Sequence, residues 1–206
     1  MGIYSDHIFP RLMDGSLGGQ QQRVYRERTL APARGDVLEI GFGTGLNLSS
    51  YPPGISRLVA VDRATMLESR VKGRVARAPF PVERHEHDAA EPMPFPDASF
   101  DTVVSTWTLC SIEELQAALR ELLRLLRPGG SFLFLEHGRS DRSMVATFQD
   151  LVNPIQNVVG CGCNLNRKID DEIRRAGFQI THLERFRVPG VPRAFGEVYL
   201  GSATHA

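Results

Sequence analysis

From Gly35 to His137 the chain alternates short apolar runs with stretches of helical spacing: VLEI (37–40), RLVAVD (57–62), a weaker VERHEH (82–87), FDTVVST (100–106) and GSFLFLEH (130–137). Continuous apolar strands joined through helices predict a parallel sheet covered on both faces, the α/β class. The intervening helix is clearest in SIEELQAALRELLRLLRPGG (111–130), where Leu115, Leu119, Leu122, Leu123 and Leu126 make an apolar stripe. Ser111 is placed to cap its start, Glu113 and Glu114 suit the first turn, and Pro128-Gly129-Gly130 ends it. A later helix is expected from near Asn166 to Ala176, with Gly177 in a left-handed cap. Two more strands, QITHLERF (179–186) and EVYLGSAT (197–204), follow with no helix between them and must pair antiparallel. The expected sheet therefore has seven strands, the last antiparallel.

Residues 1–33 have a different character. IYSDHIFPRLM (3–13) has helical spacing interrupted by Pro10, and QQQRVYRERTL (20–30) is a second helical stretch, so the segment reads as a helical cap on a domain of residues 34–206. A chain of 206 residues buries roughly 70% of its unfolded surface, enough for one sizeable core. Twenty-four basic residues balance twenty-four acidic ones, which gives no support for nucleic-acid binding. Cys110, Cys161 and Cys163 are an odd count, and a lone C-x-C lacks the second ligand pair of a zinc site. The expectation is a reduced, cytoplasmic protein with no metal and no stable membrane anchor, because the N-terminus has no uninterrupted apolar stretch.

The turn after the first strand, EIGFGTGLN (39–47), narrows the ligand. Gly41, Gly43 and Gly45 present backbone N–H groups and let a ligand come close. The dinucleotide pattern G-x-G-x-x-G fails because position 46 is Leu. A glycine-rich turn of this kind also serves mononucleotides or plain packing. The next strand ends in Asp62, whose carboxylate can accept both ribose hydroxyls of an adenosine lying over the turn; a solvated strand-end aspartate fits the same position.

Four segments in order, E-x-G-x-G-x-G (39–45), VDRATML (61–67), HDAAEPMPFPDASFDTVV (87–104) and LRPGG (126–130), together resemble the class I S-adenosyl-L-methionine (SAM) methyltransferases. The resemblance implies a Rossmann-like seven-stranded sheet, SAM as cofactor and S-adenosyl-L-homocysteine as product. It implies cofactor-binding roles for Glu39, Gly41, Gly43, Gly45, Asn47, Asp62, Arg63, Met66, Asp88, Ala89 and Thr106. Met66 would pack on the adenine and Asp88 would meet its amino group. His87 stands where the family has Gly, and His85 and His87 are expected to be solvated.

For the methyl acceptor, STWTLCSI (105–112) lacks the D/N-P-P-Y/F of adenine and glutamine methyltransferases, and no set of metal-binding carboxylates stands out. VVSTWTLCSI (103–112), FLEH (134–137) and GCGCNLNRKIDDEIRRAGF (160–178) resemble segments of the alkyl thiol S-methyltransferases. That resemblance implies a small apolar thiol. The same core serves quinone C-methyltransferases and enzymes of phosphatidylethanolamine, so a carbon, oxygen or lipid head-group acceptor is the alternative, and a non-catalytic SAM-binding module is the reading from another class. Trp107 and His137, with Tyr4 and Phe9 of the cap, are the expected acceptor pocket. His137 is a candidate base or a structural histidine tied to Glu136, and Cys110 is expected in the core.

Overall fold

The computed structural model describes Tyr4, residues 8–63 and residues 67–206. Its strands are β1 (Gly35–Ile40), β2 (Ile55–Asp62), β3 (Val82–Glu86), β4 (Phe100–Thr106), β5 (Leu126–His137), β6 (Phe178–Arg187) and β7 (Glu197–His205). They form one seven-stranded sheet in the order β3-β2-β1-β4-β5-β7-β6, with β7 antiparallel to both neighbours. The expected seven strands and antiparallel last strand are both present. β7 lies between β5 and β6, so the last of the seven strands in chain order completes the interior of the sheet. The strand order reverses between β1 and β4, and the crevice outside their carboxyl ends is where ligands bind in open α/β sheets.

The helices are α1 (Phe9–Leu17), α2 (Gln20–Leu30), α3 (Glu68–Val75), α4 (Leu115–Leu125), α5 (Ser143–Val159) and α6 (Ile169–Arg175). Alternate side chains of the central strands feed two cores. Leu38, Ile40, Phe100, Phe132 and Phe134 pack with Leu119 and Leu122 of α4 and Ile173 of α6, while Val37, Leu58, Val104 and Leu133 pack with Leu30 of α2 and Val71 of α3 on the other face. The continuous apolar runs within these strands thus reflect burial on both sides.

Several helix boundaries differ from expectation. Pro10 stands in the first turn of α1, where its missing N–H costs nothing, so it starts the helix instead of kinking one. Ser111 does not cap α4; its N–H closes a turn onto the Thr108 carbonyl at 2.9 Å, and the helix begins at Leu115 with no side-chain cap. α4 ends at Leu125 and β5 takes over at once, with Gly129 at φ +76 inside the strand's first residues. α6 begins at Ile169, three residues after Asn166, and Gly177 adopts φ +102 at its end. α5 had no sequence expectation: it carries Pro154 within it and buries only Ala146 and Gln149. Among the described residues no helix is long and apolar enough to cross a membrane.

α1 and α2 are fastened to the sheet. Tyr25 of α2 meets Phe186 of β6 with ring centroids 4.7 Å apart, and Arg28 makes a two-pronged ion pair with Glu184. α1 is held through Asp14, only 8% exposed, which accepts from the Thr44 hydroxyl at 2.5 Å and from Arg70 and Arg74 of α3 at 2.5 and 2.7 Å. Burial alone would raise the Asp14 carboxyl, but Arg74, Thr44 and Arg70 outweigh it and hold its pKa at about 2.

Candidate active site

A cleft of ≈650 Å³ lies at the carboxyl ends of β1, β2, β4 and β5, a volume usual for a small-molecule site. At its floor the turn after β1 holds Gly41, Gly43 and Gly45 at φ +68, +55 and +76. The Gly41 N–H donates to the Val61 carbonyl at 2.8 Å, and the Gly43 N–H donates to Asp62 Oδ2 at 2.7 Å. The second strand's carboxylate therefore braces the glycine turn. Gly41 and Gly43 line the cleft, whereas Gly45 does not; a Cβ there would meet Phe42 and Leu48 at 3.0 and 3.1 Å, so its role is close packing.

Glu39, 1% exposed, accepts from the Tyr51 hydroxyl at 2.6 Å and from Asn47 Nδ2 at 2.9 Å, and that same Nδ2 lies 3.0 Å from Thr106 Oγ1. Burial pushes its pKa up to about 7, against the opposing pull of Tyr51, Asn47 and the Arg26 cation, while nearby Asp62 adds to the rise. A cationic ligand favours the ionised form, so SAM affinity is expected to increase as pH passes upward through 7, and Glu39→Gln to flatten that dependence in calorimetric titrations. The sign for stability is opposite. Because the folded pKa lies above the ordinary value of 4.5, stability from this group is full below pH 4.5 and lost as pH rises through about 7.

Beside β2 and β3, Arg63 and Asp88 approach to 3.3 Å, and Asp88 Oδ1 accepts from the Ala90 N–H at 2.9 Å. Asp88, Ala89 and Arg63 line the cleft, and Met66 falls outside the described residues. His85 pairs with Glu83 at 2.7 Å. His87 departs from the solvated expectation: it lines the cleft with a buried Nε2 that has no hydrogen-bond partner.

Sequence reasoning missed Arg26. It is 3% exposed, lines the cleft from α2, and its Nε has no hydrogen-bond partner. The signal was a polar stripe, Gln22, Arg26 and Thr29, at helical spacing; Gln22 lines the same cleft with an unpartnered Oε1. Buried polar groups without partners are uncommon, and here they converge on one cavity.

The opposite end of the cleft is organised by Glu136, fully buried at the end of β5. It accepts from the Ser105 hydroxyl at 2.7 Å and from the Thr108 N–H at 2.9 Å, and burial raises its pKa to about 7 despite these donors. The turn it pins carries Trp107 at φ +57, a left-handed conformation that costs energy for a bulky residue. The Trp107 indole Nε1 is buried without a partner, and its ring centroid is 6.4 Å from that of His137.

The loop after α5 closes this end. Asn164 donates to the Cys110 carbonyl from its backbone N–H at 2.9 Å and its side chain at 3.0 Å. Arg167 reaches the Leu109 and Ile112 carbonyls at 2.5 and 2.6 Å. The segments LCSI and GCGCNLNR, some fifty residues apart, are thus one structural unit. Within it His137 Nε2 lies 2.7 Å from Cys163 Sγ. Burial disfavours the imidazolium, yet the contact with Cys163 outweighs it and raises the His137 pKa, while the Cys110 thiol and burial push the Cys163 thiol well up. Cys110 is buried as expected, yet it also lines the cleft. Phe9, Trp107 and His137 line the cleft; Tyr4 does not, and its hydroxyl donates to the Val159 carbonyl at the surface instead.

The methyltransferase domain family model matches residues 38–134. Human thiol S-methyltransferase TMT1A is 36% identical over 156 residues, 74% of this chain and 64% of the relative, and phosphatidylethanolamine N-methyltransferase of Cereibacter sphaeroides is 29% identical over 146 residues, 69% and 71%. The chain thus spans just under two thirds of the length of its thiol methyltransferase relatives. The solved structure of N-methyltransferase NodS from Bradyrhizobium japonicum WM9, in complex with S-adenosyl-L-homocysteine, superposes with TM-score 0.70 at 15% identity, covering 97% of this chain and 93% of that one. Residues 38–134 thus form a methyltransferase domain, built on the seven-stranded sheet of the class I SAM-dependent methyltransferases.

Proposed function

We propose that this methyltransferase, working in the cytoplasm, methylates the sulfur of a small, largely apolar thiol. The observation that carries the reading is the union of the LCSI turn and the GCGCNLNR loop around His137 and Trp107 at the acceptor end of the cleft. Both segments resemble thiol S-methyltransferases, and relatives bearing that name are 34–36% identical to this chain.

The chain's own groups suit the cofactor. The unpartnered polar atoms of Arg26, Asn47 and His87 face a cleft floored by Gly41 and Gly43, which fits a ligand with several polar ends. Asp62 would take the ribose hydroxyls, Asp88 and Ala89 the adenine, with Arg63 beside them. Glu39, Asn47, Thr106 and Arg26 would hold the methionine portion. When bound, SAM supplies an electrophilic methyl carbon. The protein's part is to align the acceptor and exclude water. α1 serves the second task, since Phe9, Pro10 and Met13 line the cleft from the cap formed by residues 1–33. A thiol with a pKa of about 8.5 is partly ionised at neutral pH and needs no strong base, which agrees with the full occupation of Glu136 by the turn it pins.

The test is mass spectrometry of purified protein with SAM and a panel of alkyl thiols, phenols, quinols and amines. Methylated alkyl thiols are the expected products. Turnover of phenols, quinols or amines with inert thiols would overturn the sulfur assignment and leave the cofactor assignment intact.

A further inference from the structure

Cys110, His137 and Cys163 come from three separate parts of the chain: the turn after β4, the end of β5 and the loop after α5. One ligand atom from each lies within 4.8 Å of the other two. All three residues line the acceptor end of the cleft, both thiols are almost fully buried, and the cysteines are free. Packing does not require this composition, because an isolated pair of buried thiols on a histidine makes only weak hydrogen bonds.

We propose that Cys110, His137 and Cys163 bind one thiophilic divalent cation of the zinc class, with a fourth coordination position open to the cleft where the sulfur of an external thiol binds. Two thiolates and one imidazole leave such a site open, as in zinc centres that bind a substrate or water as fourth ligand. Tetrahedral bonds of about 2.3 Å to sulfur and 2.0 Å to nitrogen separate ligand atoms by about 3.6–3.8 Å. The cluster is close to that size. The 2.7 Å contact between His137 Nε2 and Cys163 Sγ has to open by roughly 0.9 Å, and the His137 Nδ1 has no hydrogen-bond partner among the described residues that resists the ring's movement. Two thiolates balance the dication's charge, which suits a buried position.

The exchange balances in protons. The two cysteine thiols release one proton each to solvent as the metal–sulfur bonds form, and the entering thiol releases a third as its sulfur takes the fourth position. The cation then holds the acceptor as thiolate, and His137 is a ligand instead of a base. The identity of the fourth ligand rests on the thiol reading above; the cation site does not.

Cobalt(II) is the probe for full-length protein, stripped with a chelator and kept reduced by a phosphine. One equivalent is expected, with thiolate-to-cobalt absorption in the near ultraviolet and tetrahedral bands in the visible, both removed by zinc. Cys163→Ser and Cys110→Ser should weaken uptake at least 100-fold, with unchanged circular dichroism and SAM affinity showing that each variant is folded. A short alkanethiol should strengthen the sulfur absorption of the cobalt protein. Failure of the folded wild type to take up micromolar cobalt or zinc would overturn the site. An unchanged spectrum on adding thiol would overturn the fourth-ligand assignment. Equal thiol methylation by stripped and zinc-loaded protein would overturn the cation's role while upholding the thiol substrate; stoichiometric uptake with no thiol turnover in either form would uphold the site and reject that substrate.

Discussion

Gly41→Ala is expected to remove measurable SAM binding and to destabilise the fold by about 3 kcal/mol or more. A Cβ at this position would stand 1.9 Å from Thr108 Oγ1 and 2.3 Å from its Cγ2, in a residue at φ +68. The left-handed conformation alone costs an alanine roughly 1–2 kcal/mol. Overpacking adds about 1–3 kcal/mol, because Glu136 pins the Thr108 backbone N–H and the Thr108 hydroxyl cannot rotate away without breaking its bond to the Thr106 carbonyl. The strain falls on the join between β1 and β4, where the floor of the cleft is formed. Gly43→Ala is the informative control. Its φ is +55, but the nearest atom to the new Cβ is the Gly41 carbonyl oxygen at 3.9 Å, so only the conformational cost of about 1–2 kcal/mol remains. Denaturant unfolding of both variants, with SAM calorimetry, checks the ordering; equal stability losses would reject the clash as the cause.

Asp14→Ala is expected to cost about 3 kcal/mol and to weaken SAM binding together with α1 docking. The carboxylate is shared by Thr44 and two arginines, and its loss leaves Arg74, mostly buried, facing the turn without its anion. Breaking buried ion pairs costs about 3–5 kcal/mol, and the lower figure applies because Arg70 is 52% exposed and partly screened by water. The effect on SAM follows because Thr44 lies between Gly43 and Gly45. The depressed pKa of Asp14 fixes the sign of its pH dependence: its stabilisation is present above about pH 3.8 and is lost as pH falls toward 2. Hydrogen exchange of residues 8–17 reads the docking directly. Unchanged protection in the variant would show that packing of α1, not this carboxylate, holds the helix down.

Elements buried on both faces were legible in the sequence because burial forces continuous apolar runs, as in β1, β2, β4 and β5. α5 was illegible for the converse reason. Met144, Leu151, Ile155 and Val158 are exposed, so its apolar residues do not mark an inward face, and Pro154 argues against a helix at all. In the site, residues adjacent to the glycine turn were readable because the βα unit places them locally. Asp14 against Arg74, and His137 against Cys163, are contacts between distant segments that only the strand order creates. Arg26 carried a local signal, a polar stripe on one helix face, that is easily taken for solvent exposure.

The position of β7 has a consequence for how the chain is made. β5 offers its outer edge to residues 197–205, and β6 reaches the sheet only through them. While a ribosome is still emitting the preceding sequence, that edge of β5 has no hydrogen-bond partner, and one side of the strand that carries Phe132 and Phe134 is uncovered. Such an edge pairs readily with other chains. The half-sheet of β1 to β5, with the glycine turn already formed, is therefore the state most exposed to aggregation during synthesis, and arrival of β7 ends that exposure by covering the edge of β5 and joining β6 to the sheet.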